Sequence, residues 1–191
     1  MESKTNINSR EAILAAARSA AQAHGYNGLN FRDIAATVGI KAASIYHHFP
    51  SKSDLGVAVA RRYWEDAAAA LESMSANGAD PVDCLRKYPA TFRVALETGN
   101  RMCLCSFMAS EYDDLPAEVQ KEVQVFTDVN VAWLSERLVD TGTVSPEESK
   151  RRAYAIFAAI SGAQIVARGR ADISLYDTIV ASCQSSGLLP G

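Results

Sequence analysis

The run from Asn30 to Phe49 constrains this chain most, because its punctuation admits two short helices meeting at a tight turn. Asn30 is an N-cap residue: its side-chain oxygen can accept from a backbone N–H that the first helical turn leaves without a partner. Ile34, Ala35 and Val38 then share one helical face. Gly39 falls where a left-handed residue would end that helix, a conformation Gly takes without steric cost. Ile40, Ile45 and Phe49 give the second helix an apolar side, and Ala35 is small where two helices must cross closely. A small residue, a Gly four positions on and a branched apolar residue six further is helix-turn-helix spacing. In that arrangement the second helix enters the DNA major groove and the first crosses the backbone.

The opposite side of the second helix carries Lys41, Ala42, Ala43, Ser44, Tyr46 and His47. Small side chains permit close approach to base edges, Lys41 and His47 offer donors, and Tyr46 can donate to a phosphate. Ser51 with Asp54 three residues later forms a capping box, which seats Lys52 beside a helix N-terminus, where both attract phosphate. The expected DNA-contacting set is Asn30, Phe31, Arg32, Lys41, Ala42, Ala43, Ser44, Tyr46, His47 and Lys52. A metal pair from His47 and His48 is rejected, because adjacent helical residues point about 100° apart.

The segments Ile34-Ala35 through Gly39-Ile40 and Ser44 through Leu55, with Gly25-Tyr26 upstream, closely resemble the N-terminal domain of TetR-type repressors. The resemblance covers about the first third of the chain, and the helical remainder agrees with it. Two departures occur: Lys41 stands where that family often has a capping Ser, and Ala43 replaces a frequent Gly. Both should change which operator is read.

Net charge supports a divided chain. The whole carries −3, yet residues 1–62 hold eight Lys/Arg against four acids, leaving a basic head on an acidic body. The expected division is a DNA-binding head over residues 1–50 and a helical ligand-binding and dimerisation body over residues 51–191. No apolar run reaches membrane-spanning length, no signal peptide opens the chain, and four Cys without a paired framework fit a reducing cytoplasm.

An all-α fold is expected throughout, with no strand or hairpin pattern. Ser9 is expected to cap a first helix whose packed face is Ile13, Ala17, Ala20 or Ala21, and His24. A long helix should follow from Lys52 to about Ala76, on the stripe Leu55, Val59, Tyr63, Ala67, Ala70, Leu71 and Met74. Asp80-Pro81 starts a helix that Pro89 should kink. Met102 to Tyr112 forms the next segment, Pro116 opens a helix to about Val139, and Ser145-Pro146 opens another to Arg168. Asp172 caps the last.

In the body, Ala155, Ala159, Gly162 and Val166 make a small apolar face which, with Leu175 and Ile179, suits a two-fold interface with a second copy. Tyr88, Phe92, Cys103, Phe107, Phe126, Asn130, Trp133 and Gln164 suit a small, mainly apolar ligand. The resemblance implies that an inducer there moves the long helix and spreads the heads off the DNA. Cys103 or Cys105 could instead sense oxidants or electrophiles, given exposure and a depressed pKa. A helical enzyme or adaptor is the remaining class. It lacks support: no nucleophile elbow, zinc-protease motif or phosphate loop occurs, and all three His lie in the head. No cofactor or metal is expected.

Overall fold

The computed structural model describes the backbone from Glu2 to Gly191 and side chains from Ser9 onward; among these residues the regular structure is helical, without a strand. The helices are α1 (Glu2–His24), α2 (Phe31–Val38), α3 (Ala42–His48), α4 (Lys52–Met74), α5 (Pro81–Lys87), α6 (Ala90–Glu97), α7 (Leu104–Ala109), α8 (Ala117–Asp140), α9 (Pro146–Gly169) and α10 (Ile173–Ser185). Short 3-10 turns occupy Tyr26–Gly28, Ala76–Gly78 and Tyr112–Asp114.

The boundaries follow local chemistry. Asp80, Ser145 and Asp172 each cap the helix they precede with a side-chain oxygen, and Pro stands in the first turn of α5 and α9, where its missing N–H costs nothing. Ser51 and Asp54 exchange bonds reciprocally at the start of α4: Ser51 N–H donates to Asp54 Oδ2 at 3.0 Å and Asp54 N–H to Ser51 Oγ at 3.1 Å.

Several expectations need correction. Ser9 lies inside α1 and does not cap it, because the helix begins at Glu2. His24 is exposed; Ile13, Leu14, Ala17 and Ala21 form the packed stripe, which has turned away by the last turn. Ala70 on α4 is likewise exposed. Pro89 does not kink one helix but divides two, since it cannot donate back to the preceding turn. Its carbonyl accepts from the buried Tyr176 hydroxyl at 2.6 Å, so the break is fastened to α10. Between Met102 and Tyr112 only Leu104–Ala109 is α-helical.

The chain divides into two compact units. The first comprises the chain up to Trp64 together with Leu104–Gln124; the second comprises Glu65–Cys103 with Val125–Gly191. Helices α4 and α8 each contribute to both. In the first unit, Ile13, Ala17, Ile34, Ala35, Ile45, Leu55 and Val119 are core residues. In the second, Leu85, Tyr88, Phe126, Leu134, Ile156, Ile160 and Tyr176 are.

Glu122 of α8 is tied to α4 within the first unit. It accepts from Arg61 Nε at 3.1 Å and from the Trp64 indole N–H at 2.8 Å. Burial alone would raise the Glu122 pKa, but the Arg61 and Trp64 hydrogen bonds and the Arg61 charge outweigh it and hold it low. A carboxyl with a lowered folded pKa contributes stability that is present above its unfolded value, ~4.3, and is lost as pH falls through the folded value. Glu122→Ala should therefore lower the melting temperature near neutral pH by roughly 2–4 °C. The difference should shrink as the pH is taken below 4; a deficit undiminished in acid would show that the charge is not involved.

Candidate nucleic-acid interface

The interface is built on α2 and α3. Asn30 opens α2 with its Oδ1 accepting from Arg32 N–H at 2.8 Å and Asp33 N–H at 3.4 Å. Gly39 ends the helix at φ +76°, where nothing within 4 Å would obstruct a side chain, so the left-handed backbone is what calls for Gly. Lys41 occupies the N-cap of α3 in extended conformation and makes no side-chain cap. The helix is held from beneath by Ile45 and by Phe49 just past its end, exposed 0% and 3%.

What α3 leaves outward is polar and small. Lys41, Ala43, Ser44, Tyr46 and His47 are exposed, Tyr46 by 57%, and Ala42 is half-buried. Phe31 is buried, and its ring lies 4.7 Å from that of Tyr46, a tilted contact that fixes the tyrosine on α3 against the start of α2. Asn30, Phe31, Arg32, Tyr46 and Lys52 line one pocket of about 330 Å³ together with Leu29. Five residues chosen from the sequence thus converge on one concavity with two cations, a phenol and an amide around it. Such a set matches a phosphate oxyanion. His48, turned partly inward, has its pKa lowered by burial, then by His47 and Arg10, which disfavours its charged form.

One residue of this unit, Glu111, escapes sequence reasoning. Lys52 Nζ lies 4.4 Å over the ring of Tyr26, and Tyr26 N–H donates to Glu111 Oε2 at 2.7 Å. Gly25-Tyr26 was visible as part of a pattern, but no local signal marks Glu111, which is 85 residues away.

In the second unit the structure gathers Tyr88, Phe92, Cys103, Phe126, Asn130, Trp133 and Gln164, while Phe107 belongs to the first. The Tyr88 hydroxyl donates to Asn130 Oδ1 at 2.9 Å, and Asn130 Nδ2 donates to the Phe126 carbonyl at 2.8 Å. Burial, followed by Cys103 and Tyr176, pushes the Tyr88 pKa far up, so the phenol stays protonated. Trp133 stacks on Tyr88 with centroids 5.8 Å apart. Phe92, Phe126 and Phe157 form a trio at 6.0–6.3 Å. Gln164 accepts from Cys103 N–H at 2.8 Å and donates to the Phe92 carbonyl at 2.6 Å. Cys103 and Cys105 are both buried, at 2% and 1% exposure, which withholds from each the access that an oxidant sensor needs.

Residues 13–59 match the family model for bacterial regulatory proteins of the tetR family. The HTH-type transcriptional repressor AcnR of Corynebacterium efficiens is 42% identical over 72 residues, a match spanning 38% of this chain and 37% of that repressor. A TetR-family regulator from Agrobacterium tumefaciens superposes with TM-score 0.87 at 29% identity, covering 95% of this chain and 98% of the other. A TetR transcriptional regulator from Legionella pneumophila gives TM-score 0.86 at 32% identity, covering 92% and 95%. With identity at that level along nearly the whole length of both chains, this protein belongs to the TetR family of transcriptional regulators.

Proposed function

We propose that the protein is a homodimeric repressor that holds a palindromic operator and is released from it by a small, mainly apolar ligand. The observation that carries the DNA half is the pocket shared by Asn30, Phe31, Arg32, Tyr46 and Lys52 beside the small, exposed face of α3. Phosphates dock at that pocket, while Lys41, Ala42, Ala43, Ser44 and His47 face the bases. The similarity to AcnR over 72 residues supports repression as the outcome.

The dimer reading rests on an apolar stretch of α9. Ala155 is exposed, Ala159 and Gly162 are half-buried, and Ile165 and Val166 are exposed by 54% and 47%. Leu175 and Ile179 of α10 are half-buried. Two copies paired over these helices would cover a patch that a monomer leaves in water, and two heads would read two half-sites. The ligand reading rests on the aromatic cluster around Tyr88, Phe92, Phe126 and Trp133. Its polar groups Tyr88, Asn130 and Gln164 are committed to one another or to backbone. No ionised group belongs to that set, which favours an uncharged ligand. Such a ligand regulates only through a higher affinity for the state that does not fit DNA.

Selection of random duplex DNA by the purified protein near physiological salt tests the reading, with the mass of the complex measured by sedimentation. An enriched inverted repeat bound by two protomers is the expected result. Failure to enrich any sequence, or enrichment of a single half-site bound by one protomer, would overturn it.

A further inference from the structure

Lys52 is a flexible cation, and flexible cations bind phosphate poorly unless something has already limited their motion. Here something has. Its ammonium rests 4.4 Å over the Tyr26 ring, on the same pocket that Asn30, Phe31, Arg32 and Tyr46 line. The ring in turn is gripped from α4: a Cβ on Gly56 would come within 2.8 Å of it and within 3.1 Å of Val119, so only Gly lets helix and ring meet this closely.

The backbone of Tyr26 is fixed from elsewhere. Gly25, at φ +66°, turns the chain out of α1 and aims the next N–H at Glu111, whose Oε2 accepts it at 2.7 Å. The approach is tight enough that a Cβ on Gly25 would fall 2.2 Å from that oxygen. Glu111 itself stands on a firm base: its N–H donates to the Met108 carbonyl at 2.9 Å, and Met108 and Leu115 on either side are exposed 0% and 5%. Tyr26 is thus held at backbone and ring by separate segments.

We propose that Glu111 is a positioning residue for phosphate binding: it holds Tyr26 so that Tyr26 holds the Lys52 ammonium on the pocket wall. A carboxylate this close to the phosphate-binding residues would by charge alone weaken DNA binding, so the two roles predict opposite signs. As a positioning group Glu111 strengthens binding; as a bystander charge it weakens it.

The inference rests on the reading of Lys52 as a phosphate contact, and the experiment separates the two. Affinity of the full chain for a mixed-sequence DNA duplex is measured by fluorescence anisotropy across a range of salt, for Lys52→Ala, Glu111→Ala, Glu111→Gln and the Lys52→Ala/Glu111→Ala double variant. Lys52→Ala should reduce the steepness of the logarithmic salt dependence by about 0.9 per protomer, the loss of one phosphate contact. Glu111→Ala should weaken binding roughly two- to fivefold and flatten the slope toward that of Lys52→Ala. Glu111→Gln should restore both, because its amide oxygen accepts the same bond without the charge. Glu111→Ala should add nothing when Lys52 is already gone.

An unchanged slope in Glu111→Ala, with the variant folded by circular dichroism, would overturn the positioning role. So would a gain in affinity in both Glu111 variants, or a Gln variant as weak as Ala. An unchanged slope in Lys52→Ala would remove the phosphate contact itself, and the inference with it.

Discussion

Replacing Ile45 with Ala should abolish DNA binding while leaving the unit formed by Glu65–Cys103 and Val125–Gly191 folded. Helix α3 runs only from Ala42 to His48, far below the length at which an isolated helix survives in water. Its N-cap, Lys41, supplies no side-chain bond, and among its exposed residues Tyr46 adds only a ring contact with Phe31. What keeps it helical is the burial of Ile45, exposed 0%, against the rest of the head. Truncation to Ala removes about 2–5 kcal/mol. That is a large part of the ~5–15 kcal/mol that holds a whole small protein together, and here it falls on one element. The check is DNA binding measured beside circular dichroism and thermal melting. Expected are a partial loss of helical signal, an early transition for the head, and no measurable affinity. Ser44→Ala, exposed on the same helix, is the control and should alter stability by no more than about 0.5 kcal/mol. Wild-type affinity in Ile45→Ala would mean that α3 is held by something other than its buried side.

Gln164→Leu should be the most damaging single change in the second unit. Gln164 is 0% exposed, and its amide satisfies two backbone groups at once: the N–H of Cys103 and the carbonyl of Phe92. Leu fills a similar volume but answers neither. A buried backbone group left without a partner costs about 1–3 kcal/mol, so the loss should be roughly 2–6 kcal/mol. Gln164→Glu keeps an acceptor for Cys103, but unless it is protonated it turns a carboxylate toward the Phe92 carbonyl. It should be stabilised by acid, since burial raises a carboxyl pKa and the protonated form can donate where the ion cannot. Urea denaturation reads both: a lower midpoint with unchanged slope for Leu, and a midpoint that recovers as pH falls for Glu. A Leu variant as stable as wild type would sink the bridging role.

The helix ends were legible because their signals are short-range. Asn30, Gly39, Ser51 with Asp54, Asp80, Ser145 and Asp172 act on neighbours within a few residues, and each cap forms as its residue type implies. Where local rules competed, expectation slipped. Pro89 carried two possible outcomes, a kink or a break, and the bond from Tyr176 on a distant helix accompanies the break. His24 lay at the fading end of an apolar stripe, where one further residue of rotation carries a side chain to the surface. Long-range partners left no trace at all. Nothing around Glu111 or Glu122 in sequence announces Tyr26, Arg61 or Trp64, nor that Leu104–Gln124 joins the first unit. Pairings across tens of residues are set by how helices settle on one another, and a single sequence holds only their components.

Apart from Tyr46, whose ring packs on Phe31, the outward face of α3 adds little to the scaffold. Ala43, Ser44 and His47 lie above Ile45 without sharing its task, and short side chains leave space around them. A lineage carrying this fold could therefore exchange those residues one at a time, acquiring a new target sequence while the scaffold beneath stayed intact. Paralogues separated by only a few substitutions on that face could come to govern different promoters.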